Sequence, residues 1–129
     1  MGTVLDDGES PHTTRALEAA GHAAAVFRHF AVSHGQLDDA ERTEYLAAFS
    51  DSSQGHLVSV NRWDKPYVTG GLIAELGLAQ TASGWVDQLV AAESAGATEV
   101  AYQPVGPDIP RELETFARAH AMYVASVKA

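Results

Sequence analysis

The last third of the chain limits the possible folds most, because it reads as a complete helix–strand–helix unit. Thr81 is a capping residue ahead of a stretch that places Trp85, Leu89 and Ala92 on one helical face, and Gly96 stops that helix after about fifteen residues. Thr98-Glu99-Val100-Ala101-Tyr102-Gln103 then has the β-branched and aromatic content of a strand, which Pro104 cannot extend. A tight loop, Val105-Gly106-Pro107-Asp108, leads to Pro110, suited to the first turn of a final helix. Leu113, Phe116, Ala117, His120 and Val124 are expected to line one face of that helix. A helix, a glycine turn and a strand in this order are what a βα-repeat protein places between neighbouring parallel strands.

Upstream, Gly2-Thr3-Val4-Leu5 reads as the end of a strand, followed by the turn formers Asp6-Asp7-Gly8-Glu9-Ser10-Pro11. A strand that begins directly after Met1 is expected to lack its upstream half. Residues 13–33 have helical spacing, with Thr13 or Thr14 as cap, a face of Leu17, Ala20, Ala24, Phe27 and Ala31, and Gly35 as stop. Gly21 inside this helix marks a bend or a close approach. Asp38-Asp39-Ala40-Glu41 opens a second helix with acids where the helix dipole favours them, and Tyr45, Leu46 and Phe49 are its apolar stripe. Residues 55–69 read as short turns and loop, and a brief apolar run after Gly70-Gly71 closes at Gly77. The expectation is one domain over residues 1–129, a helix-rich α/β fold with about two strands and about four to six helices.

Composition removes several function classes. Seventeen acidic against eight basic residues give a charge of -9, which repels phosphate backbones and anionic lipid. Nucleic acid and membrane surfaces are therefore not expected partners. The chain has no cysteine, which excludes disulfides, thiolate catalysis and thiolate metal sites and fits a reducing compartment. No apolar run approaches the ~20 residues of a membrane span, and no signal-peptide pattern opens the chain. A soluble, cytoplasmic protein is the expected class.

Three segments carry a resemblance. They are Gly2-Thr3-Val4-Leu5-Asp6-Asp7-Gly8-Glu9, Gly55-His56-Leu57-Val58-Ser59-Val60-Asn61-Arg62-Trp63-Asp64, and the stretch from Ala95 through Gln103-Pro104-Val105-Gly106-Pro107-Asp108 to Leu113, the last being the most specific. Together they resemble the luciferase-like monooxygenases, closest to the flavin- and deazaflavin-dependent members. The resemblance covers essentially the whole chain and implies the C-terminal portion of a (β/α)8 TIM-type barrel, a fold that takes ~250 residues. It also implies an oxidoreductase using FMN or a deazaflavin coenzyme on a small-molecule substrate, with this portion not catalytic alone.

In such a barrel, ligands meet the C-terminal ends of the strands. That rule selects Asp6, Gln103, Gly106 and Asp108 as cofactor-side candidates; the competing reading makes them turn residues, with Asp108 capping the last helix. His56, Asn61 and Trp63 form a polar–aromatic candidate cluster for substrate, set against a helix-packing histidine beside a loop tryptophan. No catalytic residue is assigned. The spacing of His22, His29 and His34 does not suit a metal site, so none is expected. The alternative function is a stand-alone, non-catalytic helix-rich module. It would bind a partner protein or self-associate as a homo-oligomer, whereas the truncated-barrel reading makes the partner the missing N-terminal barrel portion.

Overall fold

Threonine caps and glycine exits set the boundaries of the two middle helices. Thr69 and Thr81 have extended backbone and accept amide hydrogen bonds through their hydroxyls, from Leu72 at 3.2 Å and Gly84 at 3.1 Å. Gly77 (φ +69°) and Gly96 (φ +93°) end the same helices. Around them Gly77 N–H donates to Ala74 and Leu78 N–H to Ile73, while Gly96 N–H donates to Glu93 and Ala97 N–H to Ala92. This is the Schellman arrangement, whose left-handed residue glycine supplies without strain.

The computed structural model describes residues 1–35, 38–51, 60 and 64–128. Among them the order is β1 (Thr3–Val4), α1 (Thr14–Ser33), α2 (Asp39–Asp51), α3 (Gly70–Glu75), β2 (Ala79–Gln80), α4 (Ala82–Ser94) and α5 (Ile109–Lys128). β1 and β2 pair in parallel, Thr3 opposite Ala79 and Val4 opposite Gln80. The fold is thus helix-rich α/β with a small parallel sheet. No helix among the described residues is long and apolar enough to cross a membrane.

Two clusters make the interior. In the first, the alanines of α1 pack on Leu5, Val68, Ile73 and Leu78. Gly21 allows the closest approach there, since a Cβ would lie 2.9 Å from Val60 and 3.0 Å from Val68; it is a packing glycine. In the second cluster Val4, Trp85 and Ala119 meet Phe116. Trp85 stands edge-on to Phe116 at 5.4 Å, and Tyr102 stacks on the same ring at 3.9 Å.

The strand at 98–103 and the faces of three helices need correction. The stretch 98–103 is not a strand: among the described residues, no backbone–backbone hydrogen bond involves residues 98–105. A strand needs a neighbour, and the side of β1 facing away from β2 is already occupied. There the Gly2 carbonyl accepts the Tyr102 hydroxyl at 2.8 Å, and the Val4 carbonyl accepts guanidinium N–H groups of Arg15 and Arg111, each at 3.3 Å. Side-chain donors therefore close the edge where a third strand would pair. The second strand is instead Ala79–Gln80, directly after the Gly77 exit.

The helix faces also differ. In α1 the alanines carry the burial while Phe27 is 48% exposed. In α2, Tyr45 is buried and Leu46 exposed; the Phe49 side chain lies outside the described residues. In α5 Glu112, Thr115 and Ala119 are buried while Leu113, Ala117 and His120 are exposed. Glu112 is held inward by ion pairs, which turns Leu113, Ala117 and His120 outward, while Phe116 of the same stripe keeps its place against Trp85.

His22 is buried in α1, and neither ring nitrogen has a hydrogen-bond partner among the described residues. Burial holds its pKa below the ordinary 6.5. The unfolded chain then takes up a proton at His22 more readily than the folded one, so His22 lowers stability as pH falls below about 6.5. His22→Leu is expected to raise stability at pH 7 by about 1 kcal/mol by removing an unsatisfied buried donor and acceptor. It should also flatten the decline between pH 7 and pH 5, as read by urea unfolding at each pH.

Candidate functional site

The C-terminal end of β1 is where the N-termini of α1 and α5 converge around the buried carboxylate of Glu112. Glu112, 2% exposed, accepts from the Thr3 hydroxyl at 2.7 Å, from Arg111 at 2.7 Å and from Arg15 at 3.2 Å. Arg15 also pairs with Glu9 and donates to the Thr3 hydroxyl at 3.0 Å. Arg111 reaches Asp6 at 2.7 Å. The hydrogen bond from Arg15 pulls the Glu9 carboxyl down to about 2. Stability from this pair is therefore complete above pH 4.5 and is lost as pH falls from there toward about 2. Tyr102 has its pKa pushed up to about 12, by burial first and then by the charge of Glu112, so its hydroxyl stays a donor to Gly2. Three carboxylates and two guanidiniums thus form a closed network at this end.

Beside it lies a groove of about 690 Å³ lined by Thr14, Leu17, Val60, Lys65, Val68 and Pro107, with Glu18 and Gly106. Its walls are the first turns of α1, the turn at residues 64–68 and the loop before α5. Volume and apolar lining are in the range of small-molecule and cofactor sites. Lys65 is the only lysine or arginine among the described lining residues.

The four cofactor-side candidates separate in this geometry. Gly106 lines the groove, and its φ of +96° and a Cβ position 2.7 Å from the Ala19 backbone explain the glycine by packing on α1. Asp6 is bound to Arg111. Asp108 accepts the Arg111 amide at 3.1 Å and so caps α5, as the turn reading has it. Gln103 is exposed and is not among the groove residues. The substrate candidates His56, Asn61 and Trp63 lie outside the described residues.

A second polar cluster was not visible in the sequence. Asp64, fully buried, lies 2.9 Å from His29 Nε2, accepts the Tyr45 hydroxyl at 3.3 Å and is 3.9 Å from Arg28. The Arg28 guanidinium sits over the Tyr67 ring at 3.4 Å. Burial and the Asp64 charge raise the Tyr45 pKa well above its usual value. A buried carboxylate that orients an imidazole is one half of an acid–base pair, and here it also ties α1, α2 and the turn at residue 64 together. Sequence reasoning missed it because 35 residues separate His29 from Asp64. Among the described residues, no three His, Asp or Glu side chains are placed to hold a metal ion.

No family model, curated protein or solved structure matches this chain.

Proposed function

We propose that this chain is the C-terminal portion of a luciferase-like, flavin- or deazaflavin-dependent oxidoreductase, and that its contribution is one wall of the cofactor site. The observation that carries this reading is the groove. It brings the Gly106-Pro107 loop, from the most specific resembling segment, against the first turns of α1, whose Arg15 reaches the Val4 carbonyl at the C-terminal end of β1. That is the end of a parallel strand at which barrel enzymes bind ligands.

The residues fit one part of such a cofactor better than the other. Leu17, Val60, Val68 and Pro107 offer the apolar surface that a flat tricyclic ring needs, and Thr14 and Lys65 offer polar contacts. Arg15 and Arg111 are committed to Glu9, Glu112 and Asp6, so neither is available for a phosphate. Lys65 is the one lysine or arginine left in the described groove lining, and the rest of the phosphate grip is assigned to another part of the intact fold. The bound cofactor supplies the hydride or oxygen chemistry; the side chains here orient the ring and exclude water from one face.

Fluorescence titration with FMN and with the deazaflavin coenzyme tests this. Saturable binding is expected, weakened about tenfold or more by Leu17→Glu, which puts a carboxylate on the apolar wall of the groove at a partly buried position. Absence of binding by a folded chain would contradict the reading.

A further inference from the structure

We infer that residues 97–103 form a docking strand for an extended, lysine- or arginine-bearing segment of a partner polypeptide. The inference is independent of the cofactor reading. Residues 97–103 alternate in sequence as a strand does, with Thr98, Val100 and Tyr102 on one set of positions, and they follow the exit of α4 in irregular backbone. Their backbone groups from residue 98 onward have no backbone partner among the described residues, although Val100 is a β-former and is 53% exposed. Such a row of unpaired N–H and C=O groups is a template for strand addition.

The surroundings state what the partner must be. Two clefts, of about 170 and about 270 Å³, flank this stretch and share Val100 and Phe116 in their linings. They offer pockets for alternate side chains of an added strand, between α4 and α5 on one side and around Trp85 and Leu78 on the other. The carboxylates in those linings are Glu93 and Glu99, both in the cleft between α4 and α5, where His120 is also found; Met1 lines the other cleft, and no lysine or arginine is among the described lining residues. With the chain at -9, a second copy brings further like charge, whereas a basic strand is complementary. The outer edge of β1 is closed by Tyr102, Arg15 and Arg111, so the partner adds to residues 97–103 and not to β1.

The test is amide hydrogen exchange of the full chain with two synthetic peptides, Lys-Val-Thr-Val-Lys-Val-Thr-Val-Lys and its counterpart with Glu at every Lys. The basic peptide should slow exchange at residues 98–103 by about tenfold or more at saturation, and the acidic one should not. Val100→Pro removes a donor at an exposed position that carries no backbone hydrogen bond in the free chain, so it should leave circular dichroism unchanged while abolishing the protection. Equal protection by both peptides, protection by neither, or protection that rises with chain concentration alone would each overturn the inference. The last would make the occupant a second copy.

Discussion

Glu112→Ala is expected to cost the folded chain about 2–4 kcal/mol and to lower Tm by roughly 10 °C. The carboxylate is 2% exposed and is the acceptor common to Thr3, Arg15 and Arg111. Removing one member of a buried ion pair costs about 3–5 kcal/mol, because the partner charges keep their desolvation without their counterion. The lower end of the range applies here, since the side chains of Arg15 and Arg111 are 27% and 20% exposed and retain Glu9 and Asp6. Glu112→Gln, which keeps the shape and one acceptor, should lose less. Urea unfolding followed by circular dichroism measures both; a loss below about 0.5 kcal/mol for the alanine variant would mean that the network is effectively solvated.

Trp85→Ala should cost about 3–5 kcal/mol. The indole is 8% exposed, donates to the Thr3 carbonyl at 3.1 Å and stands edge-on to both Phe116 and Tyr102. Its loss opens a cavity under β1 and leaves a buried carbonyl short of a donor. Trp85→Phe should fall between wild type and alanine, keeping ring contacts but forfeiting the hydrogen bond at about 1 kcal/mol. Because Thr3 touches both Trp85 and Glu112, the double variant should deviate from the sum of the singles.

Local chemistry was legible in the sequence. The Thr81 cap, the Gly77 and Gly96 exits and the acidic opening of α2 depend on residues within four positions of each other, and each stands where the pattern places it. Long-range pairing was not legible. The alternation of Thr98, Val100 and Tyr102 predicts a strand, but whether a strand forms depends on a free neighbour, and Arg15 and Arg111 occupy that edge from 11 and 107 residues away. The stripe of α5 likewise predicts Leu113 inside, whereas the pull of Thr3 and two arginines on Glu112 turns a charged face inward. At the candidate site, the turn residues after β1 and before α5 were recognisable as a group. That Asp6 answers Arg111 and that Asp108 caps α5 required the folded chain. Lys65 gave no signal, because its place in the groove wall follows from how the turn at residues 64–68 packs on α1.

The most direct test of the central claim is amide hydrogen exchange with and without saturating FMN, repeated with the deazaflavin coenzyme. A cofactor seated in the groove predicts slowed exchange confined to the first turns of α1, residues 64–68 and residues 105–108. Binding with protection elsewhere, or no protection at any amide from a folded chain, would contradict the assignment of this groove to the cofactor.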